Sequence, residues 1–194
     1  MVGNLTSKTA DNAINLHPRI QKDSIEVLWS PPIGDWIKCN IDGVAAGSPL
    51  LTASSGIFCD SQANHIISFS VSNGAGSPAM AGFLAAIIAI EKSMQMKWTK
   101  LWLESDCVLV VKAFSNPNLV PWNIKSCWLT CWAFSMSIDF RITHLYCEAN
   151  FCANNLANIG LKSKSSSWFN FVHSDVNLNY LLDKAGTPRL RLVL

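Results

Sequence analysis

Two aspartates stand where an α/β protein does chemistry. Asp42 ends the alternating run Trp36-Ile37-Lys38-Cys39-Asn40-Ile41-Asp42, one residue before Gly43. Asp106 closes the shorter run Leu101-Trp102-Leu103-Glu104-Ser105-Asp106. Ligands of open α/β sheets gather beyond the carboxyl ends of strands. Paired carboxylates there suit Mg²⁺ or Mn²⁺, hard cations that take oxygen ligands. Plainer roles fit the same residues: Asp106 as a helix N-cap and Asp42 as a turn residue. His144 lies in a third alternating run, Phe140 to Tyr146. An imidazole beside such a site assists proton transfer or product departure; a histidine satisfied by packing is the alternative. Glu104 shares a face with Asp106 if the strand continues, and Glu148 opens a later helix. Each also reads as a solvated carboxylate or helix N-terminal charge. Cys127, Cys131, Cys147 and Cys152 with His144 lack the tight paired spacing of a zinc site.

The elements that must position these residues follow from pattern. Strands are expected over 36–42, 55–59 and 65–71, with Asp60 to Asn64 as a hairpin connection. Gly43 to Pro49 reads as loop. A nearly all-apolar helix spans Ala79 to Met96. A strand at 101–104, a helix at 108–114, a helix from Pro121 to Met136 and a strand at 140–146 come next. A helix from Glu148 to Ile159 follows, with Gly160 placed to stop it. Three sequential strands suit antiparallel hairpins, and strands that follow helices suit parallel crossovers. The pattern therefore gives a mixed sheet with helices on its faces. Residues 1–28 read as a polar linker, 29–160 as the folded domain, and 161–194 as a poorly ordered tail.

Composition narrows the class. The chain has 194 residues, 49% hydrophobic and 14% charged, which suits one core-rich α/β domain with tails. A net charge of +2 permits nucleic-acid binding without arguing for it. Seven cysteines, an odd number, and no apolar leader in the first residues point to a reducing compartment. The protein is read as intracellular and not secreted, with nucleus and cytoplasm undecided, and the sequon Asn4-Leu5-Thr6 as idle. The apolar run AGFLAAIIAI is too short to span a bilayer. A monomer without membrane contact is expected.

The stretches WIKCNIDG, SGIFCD, AGFLAAIIAIE, LWLESD, LVPWNIKSCW and FRITHLYCEANFCANNLANIG occur in that order between Trp29 and Gly160. Together they resemble the plant ribonuclease H-like domain of non-LTR retroelement reverse transcriptases. The resemblance implies a three-layer fold: a five-stranded mixed sheet with helices on both faces. It implies hydrolysis of the RNA strand of an RNA–DNA hybrid by two Mg²⁺ ions on four acids. Asp42 matches the first acid and Asp106 the third, the metal ligands that remain. The loop with Gly43, Gly47 and Ser48 matches the region that approaches the nucleic acid backbone.

The sequence departs from that family at the other two acids. Gly82 stands at the glutamate position in the first long helix, and Asn154 at the aspartate position in the last. Cys59 and Cys147 replace usual arginines. Two cations a few Å apart need anionic ligands to offset their repulsion. Gly82 offers no side chain, and Asn154 keeps a carbonyl oxygen without the charge. Weak Mg²⁺ or Mn²⁺ binding and impaired or absent cleavage are expected. The rival from another class is a non-catalytic nucleic-acid-binding or interaction domain that keeps the fold alone. A third reading is a decayed retroelement fragment.

Overall fold

The computed structural model describes residues 24–193. Most of the expected linker, and the sequon at Asn4, lie outside the described residues. β1 (Ser24–Val27) precedes β2 (Ile37–Ala46), β3 (Leu51–Cys59) and β4 (His65–Ala75). Then come α1 (Pro78–Met96), β5 (Lys100–Ser105), α2 (Val108–Ala113), α3 (Lys125–Ser135), β6 (Asp139–His144), α4 (Phe151–Ser163), β7 (Ser166–Phe169), α5 (Ser174–Lys184) and β8 (Arg189–Leu192). The main sheet has the order β6-β5-β2-β3-β4-β7. β2, β5 and β6 are parallel; β2, β3, β4 and β7 are antiparallel. The sheet thus has six strands where five were expected, and helices lie on both faces.

Strand parity sorts β2. Cys39 and Ile41 enter the core under α1 and α3 with Phe58, Phe69, Phe83, Leu101, Leu103 and Trp128. Lys38, Asn40 and Asp42 face the other side, where α4 lies over Ile57 and Cys59. Small residues let the helices sit close to the sheet. Ser54 donates to the Ala81 carbonyl of α1 at 2.7 Å, and Ser55 and Ser70 donate to the Ala153 and Leu156 carbonyls of α4, each at 2.6 Å.

α1 is built as its sequence demands. The Ser77 hydroxyl accepts from the Met80 N–H at 3.2 Å, Pro78 occupies the first turn, and Lys97 closes the helix in the left-handed region. Its 19 residues are long and apolar enough to cross a bilayer, unlike the ten-residue run read in isolation. Here it packs on β2, β3 and α3.

Three expectations need correction. Gly160 does not stop α4, which runs on to Ser163 and closes at Lys164. A Cβ at Gly160 would lie 2.7 Å from Ser70 Oγ and 3.2 Å from Val71 N, so the glycine serves close helix–sheet approach. Residues 43–49 are not all loop, because β2 continues to Ala46. The tail from 161 onward is ordered through Val193. β7 pairs with β4, and β8 pairs with β1, drawing residues 24–27 into the fold. Val27, Val176 and Phe169 share the second core with Trp29 and Leu156. Short strands with mixed polarity carry little period, which is why the sequence hid them.

Candidate functional site

Asp42 and Asp106 do come together, beside Asn150 and Asn154. Asp42 sits inside β2, with its Oδ1 taking the N–H of Gly43 at 2.7 Å. It is therefore not a turn residue. Asp106 follows the last residue of β5, and the cap of α2 is Cys107, whose N–H bonds to the Ser105 hydroxyl. Asp106 is therefore not the N-cap. Asn150 Nδ2 donates to the Ile41 carbonyl at 3.0 Å and to Asp106 Oδ1 at 3.4 Å. Burial, and then the charge of Asp106, push the Asp42 carboxyl up to about 6 against the pull of the Asn154 and Gly43 donors.

Asn154 is the residue the resemblance placed at the fourth acid. Its Nδ2 donates to Asp42 Oδ2 at 3.0 Å, while its Oδ1 accepts from Asn158 Nδ2 at 3.0 Å. The carbonyl oxygen that a cation would use is thus turned to a neighbour, and an N–H points at the carboxylate. Gly82 lies beside both aspartates' neighbours. A Cβ built on Gly43 would fall 2.2 Å from Gly82 N, and one built on Gly82 would fall 3.8 Å from Cys107 Sγ. All four positions therefore lie near one another. Gly43 is a glycine because the α1 backbone passes over it, which gives its type a packing cause. Gly47 and Ser48 form an exposed turn after β2.

His144 lies at the end of β6, exposed, with Nε2 3.2 Å from the Asp106 carbonyl. A carbonyl only accepts, so Nε2 carries the proton in this contact. Tyr146 packs against the ring edge-on at 5.8 Å. Glu104 is not a solvated carboxylate. It is buried and binds Lys38 at 2.7 Å, with Asn40 and Thr143 donating to it at 3.2 Å. Lys38 is buried too, against the rings of Trp29 (4.7 Å) and Trp102 (4.2 Å). Burial lowers its pKa, opposed by Glu104. Glu148 pairs with Arg191 at 3.0 Å instead.

Sequence reasoning missed the amide relay. Trp29 Nε1 donates to Asn40 Oδ1 at 2.7 Å, Asn40 reaches Asn150 at 3.5 Å, and Asn150 reaches Asp106. Two signals were available: Asn40 shares strand parity with Asp42, and Asn150 is one helical turn before Asn154. Cys147 was read only as a replaced arginine or a loose cysteine, without its contact to Asp106. Its thiol borders Asp106, and burial, with the hydrogen bond to that residue, pushes it up to about 11.

Residues 40–160 match the reverse transcriptase-like family. The chain belongs to that family. The chain is also similar to an Arabidopsis thaliana protein named as a ribonuclease H protein, 26% identical over 91% of this chain. The chain spans 28% of that protein's length. Among solved structures, ribonuclease H1 of Halobacterium salinarum superposes with a TM-score of 0.57 at 21% identity, covering 66% of this chain and 98% of that one. LC11-RNase H1, isolated from compost and solved with an RNA/DNA hybrid, gives 0.58 at 20% identity, over 66% and 98%. The fold of this family member is ribonuclease H-like, with β7 at the sheet edge beyond β4 and α5 packed on α4.

Among the described residues, no three or more His, Cys, Asp or Glu gather as a metal cluster. Asp42 and Asp106 are the acids of the cleft, and the N–H of Asn154 faces one of them. Such a donor set does not fit a pair of divalent cations.

Proposed function

We propose that this domain binds RNA–DNA hybrids in the manner of a ribonuclease H and cleaves them poorly or not at all. The observation that carries the reading is the hydrogen bond from Asn154 to Asp42. It caps a metal-facing oxygen with a neutral donor, at a position where the resemblance places an acid. The family membership, the relative's name and the hybrid held by LC11-RNase H1 support the substrate class. On this reading Asp42 and Asp106 hold one Mg²⁺ or Mn²⁺ weakly, which would neutralise charge on a phosphodiester. His144, beside the Asp106 main chain, is the candidate proton carrier. Gly47 and Ser48, in the exposed turn after β2, would meet the nucleic acid backbone through N–H groups, whereas the Gly43 N–H is already taken by Asp42. A wholly non-catalytic binding domain is the second reading, favoured by the missing side chain at Gly82.

The test compares the unmodified chain with Gly82→Glu/Asn154→Asp on a labelled hybrid with Mg²⁺ or Mn²⁺. Binding by both, with cleavage by the revertant alone, is the expected result. Robust cleavage by the unmodified chain sinks the impairment. No binding by either protein sinks the substrate class. Because a side chain at Gly82 would start 3.1 Å from Val110, Asn154→Asp alone is the companion variant, read by divalent-cation titration.

A further inference from the structure

A second feature lies on the Asp42 face of the sheet, back along β5. Trp102 and Arg141 are paired across β5 and β6. With Ile33 and Trp36 they line a hollow of about 200 Å³. The strands place Trp102 four residues before Asp106, roughly 13 Å away at strand rise. Parity puts Lys38, Asn40 and Asp42 on one face of β2, and Trp102 and Glu104 on the same face of β5.

The hollow is assembled with care for planar contacts. The Arg141 guanidinium rests over the Trp102 ring at 4.5 Å, and the Trp102 Nε1 donates to Thr143 Oγ1 at 2.7 Å, which fixes the ring. The ring is flanked as well by the buried Lys38 ammonium. Arg141 is exposed and, among the described residues, has no carboxylate within ion-pair distance and no hydrogen bond on its side chain. Five donors are thus left for an outside acceptor. The wall is pinned in turn. Gly34 makes the turn at φ +65°, Trp36 N–H bonds to the Ile33 carbonyl, and Asp35 pairs with Lys100 at 2.9 Å. That pairing engages Asp35; Asp139, on the same face of β6 as Arg141, also faces Lys100.

We propose that this hollow is a subsite for one nucleotide of an unpaired strand, with the base stacked on Trp36 and Ile33 and a phosphate on Arg141. A half-buried aromatic beside a guanidinium free to make a bidentate contact is the chemistry of single-strand binding. The space is smaller than the pockets that enclose drug-sized ligands, and it suits one flat ring system. The inference rests on the nucleic-acid reading above and adds a strand that leaves the duplex.

Three probes test it by fluorescence anisotropy: a blunt RNA–DNA hybrid, the same hybrid with a single-stranded thymidylate tail, and oligothymidylate alone. The tail is expected to tighten binding about tenfold, the size of one good base stack. Arg141→Ala and Trp36→Ala should each lose that gain and leave the blunt hybrid unchanged. Arg141→Lys, with the charge but not the plane, should keep part of it. Arg141 is exposed, so its variants separate the test from folding. A tail that adds nothing, or variants that weaken blunt and tailed hybrids equally, would overturn the subsite. Arg141-dependent binding of oligothymidylate without any hybrid binding would support the subsite and sink the hybrid reading instead.

Discussion

At the scale of single residues, the cleft is decided by what Asp42 meets. An unfolded Asp42 titrates near 3.8 and the folded one near 6, so the native state holds its proton more tightly between those values. The stability from that proton is full below the lower value and is lost as pH rises through the upper one. Asp42→Asn should therefore raise stability at neutral pH by up to about 3 kcal/mol, and by little in acid. Thermal melts across pH check this, and an equal gain at every pH would refute it. The Lys38–Glu104 pair makes a second case. Two buried charges that satisfy each other leave an orphan when one is removed. Lys38→Met or Glu104→Gln alone should cost about 3–5 kcal/mol in denaturant unfolding, and Lys38→Met/Glu104→Gln, which keeps an acceptor for Asn40 and Thr143, much less than the sum.

At the scale of elements, close approach explains the glycines better than flexibility does. Gly43 holds α1 against β2, where a Cβ would strike Gly82 N at 2.2 Å and Ala81 C at 2.4 Å. Those are backbone atoms that no rotamer change can move aside. Gly43→Ala should destabilise by about 3 kcal/mol or more, read by urea midpoint. An effect on hybrid binding at unchanged stability would instead return Gly43 to the role of a nucleic-acid contact. Four of the five helices were legible in the sequence, α5 being hidden in what read as a tail. α1 announced itself through its apolar run. The end of α4 did not, because Gly160 looked like a stop until β4 was seen beneath it.

At the scale of the whole molecule, the last thirty or so residues close the domain. β7 covers the open edge of β4, Tyr180 donates to the Ala63 carbonyl at 2.8 Å and accepts from the His65 N–H, and Asp183 holds Arg189 at 2.9 Å. Truncation after Lys164 should bare a long strand edge and the core around Leu156. Loss of cooperative melting and aggregation by light scattering are expected. A truncated protein that melts as sharply as the full chain would show the extension to be dispensable.

The sequence by itself determined the order of most elements and which residue types stand at positions 42, 82, 106 and 154, because each is written in local period or in short motifs. Only the tertiary structure decided that Asn154 turns its N–H to Asp42, that Glu104 is spent on Lys38, and that the tail joins the sheet. Those outcomes depend on groups far apart along the chain. Their partners are chosen by packing and burial, which residue spacing alone does not encode.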